Sequence, residues 1–131
     1  MVFHRFGKEN VLVKRHPRDG SALHPDIHYY PNSSVPIELI CANNDMSEKV
    51  IVCFSSTAAA TPKLLFDQEP YVILLYRLVN EERIKTQEAS YYTACQQLYR
   101  QNNRFFIPEN EAQFSEALLT IQNQIEAGRR E

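Results

Sequence analysis

Phe114, Leu118, Ile121 and Ile125 recur at i, i+4, i+7 and i+11 in the last part of this 131-residue chain. That spacing puts four large apolar side chains on one stripe of an α-helix. Such a helix is stable only against another apolar layer, so the rest of the chain has to supply one. Asn110 with Gln113 three residues on supplies a capping-box-like start, and Gly128 is the expected stop.

The first half is expected to provide that layer as strands. Val11-Leu12-Val13 is a short β-branched run, followed by turn chemistry at Pro17-Arg18-Asp19-Gly20. Ile27–Tyr30 is a second extended candidate, closed by Pro31-Asn32-Ser33-Ser34. Val35–Ala42 and Lys49–Phe54 are strand-like runs around Asn43-Asn44-Asp45-Met46-Ser47-Glu48, which reads as a β-hairpin with a longer loop. Ile37, Leu39 and Cys41 would share one face of its first arm, and Val50, Val52 and Phe54 one face of its second. Ile51 and Cys53 are apolar as well, which predicts a central strand covered on both sides.

Helical signals follow. Thr61-Pro62 reads as an N-cap with proline in the first turn, and Asp67-Gln68-Glu69-Pro70 as a second helix start. Tyr71–Val79 is apolar nearly all round, so periodicity does not separate a buried helix from a buried strand. Helix is the choice, because leucine-rich sequence runs into Asn80-Glu81-Glu82-Arg83 without a breaker. Residues 84–101 carry Tyr91, Cys95 and Leu98 as a helical stripe, ended by Asn102-Asn103. The expected fold is a single α+β domain over residues 1–131. Residues 1–55 are mainly strands and 61–128 mainly helices: an antiparallel sheet of about four strands with about three C-terminal helices on one face.

Charge is uneven. Arg5, Lys8, Lys14, Arg15 and Arg18 against Glu9 leave residues 1–18 at +4, while the rest of the chain sums to −6. The acidic remainder argues against nucleic acid, although Lys14, Arg15 and Arg18 with Tyr29 and Tyr30 make a minimal basic–aromatic set. Three cysteines, Cys41, Cys53 and Cys95, without CxxC-like spacing suggest free thiols in a reducing, cytoplasmic setting. The opening residues are too polar for a signal peptide, and no run is long enough for a membrane span.

All four histidines, His4, His16, His24 and His28, fall within the first 28 residues. His24, Asp26 and His28 alternate, so an extended chain points them the same way. Residues i and i+4 of a strand lie about 13 Å apart, whereas zinc takes ligand atoms at about 2 Å. One ion therefore needs two of these residues plus His16 or His4 from a neighbouring segment.

No catalytic constellation emerges, so the reading leans away from an enzyme. Cys53 ends a strand before Ser55-Ser56-Thr57, but seven residues separate it from the Thr61-Pro62 cap and it behaves as a core thiol. The hydroxyl-rich loop has neither glycine nor lysine, and only Gly7, Gly20 and Gly128 occur in the chain, which disfavours nucleotide cofactors. No cofactor is expected.

Seven tyrosines include the adjacent pairs Tyr29-Tyr30 and Tyr91-Tyr92. Neighbours on one element point in different directions, so they cannot all enter one core. Tyrosine is enriched where proteins meet. The favoured function is a small intracellular protein-binding module, an adaptor, inhibitor or regulatory subunit. Its contacts are Tyr91, Tyr92 and Tyr99 on a helical surface, with Tyr29 and Tyr30. Its partner is another protein or a second copy in a homodimer. The alternative is a metal-binding protein or metal-dependent enzyme using His24, Asp26, His28 and His16.

Overall fold

Pro36 opens a helix where a strand is expected. The structure, a computed structural model, describes residues 2–15, 22–32, 34–78 and 86–130. Pro36 sits in extended backbone, φ −71° and ψ 153°, as the N-cap of α2 (Ile37–Ala42). At the other end the side-chain amides of Asn43 and Asn44 donate to the carbonyls of Leu39 and Ile40, each at 2.8 Å. Those groups satisfy the orphan acceptors of the last turn. The expected alternation fails accordingly: Cys41 is buried and Leu39 is exposed.

The sheet has three strands among the described residues, all parallel, in the order β1 (Val50–Cys53), β2 (Tyr71–Leu74), β3 (Phe105–Phe106). Val50 to Cys53 pair with Tyr71 to Leu74 in step, and Val72 and Ile73 pair with Phe105 and Phe106. This overturns the four-stranded antiparallel sheet. Parallel neighbours need a crossover rather than a hairpin. A 3₁₀ turn (Thr57–Ala59) with α3 (Thr61–Phe66) connects β1 to β2, and a 3₁₀ turn (Tyr76–Leu78) and α4 (Thr86–Leu98) lie between β2 and β3. The extended segments near the N-terminus contribute one isolated bridge, Val13 to Tyr29. The turn expected at residues 17–20 lies outside the described residues.

Tyr71–Leu74 is therefore a strand and not a helix. All four of its residues are buried, as in the middle of a parallel sheet covered on both faces, and this removes the alternation that marks a strand. Pro70 suits the position just before a strand. β1, expected to be central, is an edge strand of intermediate burial. Asp67-Gln68-Glu69-Pro70 starts no helix; Asp67 instead ends α3 in the left-handed region, φ 50°.

Alternate residues of β2 feed two cores. On one face Tyr71 and Ile73 meet Phe114, Ala117, Leu118 and Ile121 of α5 (Glu111–Arg130), with Val2 and Phe6 of α1 (Val2–Phe6) alongside. On the other, Val72, Leu74 and Phe105 meet Ala59, Ala60, Tyr92 and Cys95. Helices thus cover both faces of the sheet, not one. The stripe of α5 is as expected, and its start is fixed by two bonds: Gln113 N–H to Asn110 Oδ1 at 2.9 Å, and Glu109 N–H to Gln113 Oε1 at 2.8 Å. Gly128 does not stop it, because the helix continues to Arg130.

One charged cluster ties the N-terminal end of β2 to the C-terminal ends of α3 and α4. The buried Glu69 carboxylate accepts from Lys63 Nζ of α3 and from the backbone N–H groups of Arg100 and Gln101 beyond α4. Burial alone would raise the Glu69 pKa and is the largest single influence, but these donors together outweigh it and hold it below the usual range. Lys63 is shifted up, by Asp67 first and then by Glu69.

The direction of each shift fixes the pH dependence. The Glu69 contribution is complete above its unfolded value near about 4.3 and is lost as pH falls through the lower folded value. The Lys63 contribution is complete below its unfolded value near about 10.4 and is lost above it. Urea unfolding across the acid range should therefore lose stability more steeply in the wild type than in Glu69→Gln. Parallel slopes would rule out a special role for this carboxylate.

Candidate functional site

The strands end together at the edge opposite that ion cluster. Ligands of open parallel sheets gather beyond the carboxyl ends of their strands. After Cys53 the chain passes through the half-exposed Phe54 into Ser55, Ser56 and Thr57. Ser56 is extended, and its Oγ accepts the Ala58 N–H at 3.1 Å, which fixes the turn. Thr61 Oγ1 donates to Thr57 O at 3.0 Å from the first turn of α3.

Across from this loop, α4 presents Glu88, Tyr91 and Tyr92, spaced i, i+3 and i+4 and so on one side of the helix. Together the two segments line a shallow cleft of about 340 Å³. Tyr91 and Tyr92 meet edge to face, centroids 5.9 Å apart. Tyr92 is buried against Tyr76 at 5.6 Å, while Tyr91 is 42% exposed. The Tyr76 hydroxyl is buried with no hydrogen-bond partner among the described residues. Glu88 is exposed and makes no hydrogen bond or ion pair among the described residues.

Titration at this edge favours neutral groups. Burial pushes the Tyr92 hydroxyl up to about 12, with smaller effects from Cys53, Glu88, Tyr76 and Tyr91. Burial pushes the Cys53 thiol up to about 11 against a lowering by the Ser56 backbone. A thiol held so far from its thiolate is a poor nucleophile. In peptide-resolved alkylation at mildly alkaline pH, Cys53 should react more than about a hundredfold slower in the folded chain than in urea. Similar rates in both states would contradict this environment.

The tyrosines proposed as contacts separate into different roles. Tyr91 lies on the cleft rim. Tyr92 is core. Tyr99 is partly buried: its hydroxyl donates to Pro70 O at 2.9 Å, and its ring packs edge-on against Phe105 at 5.2 Å. The buried stripe of α4 is therefore Tyr92 and Cys95, continued by the partly buried Tyr99 just past its end; of the expected Tyr91, Cys95 and Leu98, Tyr91 and Leu98 are exposed. Tyr29 and Tyr30 belong to the N-terminal bridge segment. Tyr29 Oη accepts the His24 N–H at 3.0 Å, and the Tyr30 N–H binds Val13 O at 3.0 Å.

The histidines do not assemble a metal site in the region described. His24 Nδ1 accepts the Asp26 N–H at 3.1 Å, and the Asp26 carboxylate faces Lys8 at 3.9 Å. Among the described residues no three His, Cys, Asp or Glu side chains are placed to hold an ion. His28 is exposed, and His16 lies outside the described residues.

Glu88 and the hydroxyl loop were not joined to Tyr91 by sequence reasoning. The local signal for the helix half was the Glu88/Tyr91/Tyr92 spacing; the loop half depends on the crossover that brings β1 beside α4. No family model, curated protein or solved structure matches this chain. No helix among the described residues is long and apolar enough to cross a membrane.

Proposed function

We propose that this chain is a protein-binding module, acting as an adaptor, inhibitor or regulatory subunit, and that it engages its partner at the carboxyl edge of the sheet. The observation carrying this reading is the cleft between Ser55–Thr57 and α4, with the half-exposed ring of Tyr91 on its rim. Aromatic anchors around a shallow depression are the usual core of a recognition surface. The raised thiol of Cys53 and phenol of Tyr92 leave no activated nucleophile at this edge, which favours binding over covalent chemistry. Three free cysteines support a reducing compartment such as the cytoplasm.

A second apolar surface exists on α2 and α3, where Leu39, Leu64 and Leu65 are exposed. It also carries the exposed Glu38 and Phe66, but it does not line the cleft at the carboxyl edge, so it ranks second. Site-specific photocrosslinking separates the two. Benzoylphenylalanine in place of Ser55 or Tyr91 should give a discrete adduct, whereas placement at Leu65 or at Leu119 of α5 should not. Adducts only at Leu65 would move the interface to the leucine surface.

A further inference from the structure

We infer that the cleft reads a basic side chain, preferentially arginine, presented by the partner polypeptide. This rests on the interaction reading above and names what the site selects. The first argument is charge. Among the described residues Glu88 is the one carboxylate lining the cleft, and it has no cation there. Arg77, whose guanidinium lies 5.8 Å from the centre of the Tyr76 ring behind Tyr92, is already tied to Glu109 at 3.1 Å. Beyond residue 18 the chain sums to −6, so the surroundings favour a cation.

The second argument is the lining. A guanidinium is planar, stacks on aromatic rings and donates from five N–H groups in a fixed fork. The cleft offers a tyrosine ring on its rim, a carboxylate one helical turn away, and the hydroxyl oxygens of Ser55, Ser56 and Thr57 on the opposite wall. The chain uses the same pairing in its own structure, where the Arg104 guanidinium lies 4.3 Å from the Tyr71 ring centre. An ammonium would use the charge but not the stacking plane or the several acceptors.

The third argument concerns the source. The cleft is shallow and has the half-exposed ring of Tyr91 on its rim, which a free small cation would leave largely uncovered. A polypeptide places flanking residues over that rim.

Titration of the ¹⁵N-labelled full chain by NMR tests the inference. The probe is a capped Gly-Ser-Arg-Ser-Gly peptide, compared with versions carrying lysine, citrulline or glutamate at the centre and with arginine amide alone. Saturable shifts are expected at the amides of Ser55–Thr57 and Glu88–Tyr92. The arginine peptide should bind at least about tenfold tighter than the citrulline peptide, a difference of about 1.4 kcal/mol. Lysine and arginine amide should fall between them.

Glu88→Gln should weaken the arginine peptide by about tenfold and lower the unfolding midpoint by no more than about 3 °C, the cost of losing one first-turn carboxylate from α4. Equal binding of arginine and citrulline, or absence of saturable shifts at these amides, overturns the inference. Equal binding of the peptide and arginine amide overturns the polypeptide source. If adducts at Ser55 and Tyr91 persist while the arginine peptide fails, the interaction reading stands and this assignment falls. If the adducts are missing too, both fall.

Discussion

Replacing Ile73 with alanine is expected to destabilise the chain by about 4 kcal/mol, the largest effect of any single truncation considered. Ile73 is fully buried in the central strand and sits in the cluster with Phe114, Ala117, Leu118 and Ile121 of α5. Truncation removes its transfer free energy and leaves a cavity that neighbours on both sides are poorly placed to fill. Neighbouring strands hold β2 in register, and the α5 stripe is seated on the same side chain. Chains of this size have only about 5–15 kcal/mol in total. Urea unfolding should show the midpoint falling with little change in slope. A loss below about 1 kcal/mol would mean that the α5 layer is not seated on β2 as described.

Glu69→Ala is expected to cost about 3 kcal/mol, which lowers Tm by about 10 °C in a chain of this length. The substitution removes the acceptor for Lys63 Nζ and for the N–H groups of Arg100 and Gln101. The Lys63 side chain is only 7% exposed and would retain just the solvent-facing Asp67 as counter-charge. Breaking one side of such a pair costs more than the intact pair contributes, because a poorly solvated charge remains. The double variant Glu69→Leu, Lys63→Met should recover much of the loss, since neither charge is then left behind. A double variant as unstable as Glu69→Ala would show that the donors at Arg100 and Gln101, and not the ion pair, carry the effect.

What could be read from the residues divides according to how local its cause is. α5 was legible because its cap, Asn110 with Gln113, and its stripe, Phe114 to Ile125, are set within the segment itself. β1 was legible as extended chain because Val50 and Val52 are β-branched. β2 was not. A central parallel strand is apolar on both faces, so Tyr71-Val72-Ile73-Leu74 carries no period and resembles a buried helix.

The six residues of α2 span less than two turns, too few for a helical stripe to differ from alternation. Its better signals were Pro36 before it and the two asparagines after it. Reading α2 as a strand then made a hairpin with β1, and the hairpin made the sheet antiparallel. At the site, Tyr91 was legible as a candidate contact, and it is half-exposed. Tyr92 was not separable from it, since adjacent residues on a helix differ by one step of rotation, and only the position of β2 decides which one is covered. The pairing of Glu88 with Ser55–Thr57 follows from the crossover between strands, which the sequence alone does not order.

The central claim is that a partner is held at the cleft formed by Ser55–Thr57, Glu88 and Tyr91, and that Glu88 is what selects it. Photocrosslinking from benzoylphenylalanine in place of Ser55, with and without Glu88→Lys, tests this most directly. Ser55 lines the cleft, and charge reversal at the exposed Glu88, in the first turn of α4, leaves the core intact. The account predicts that the adduct formed with native Glu88 drops at least about tenfold on reversal while the unfolding midpoint falls by no more than about 5 °C. An adduct of undiminished yield in the Glu88→Lys background would contradict it.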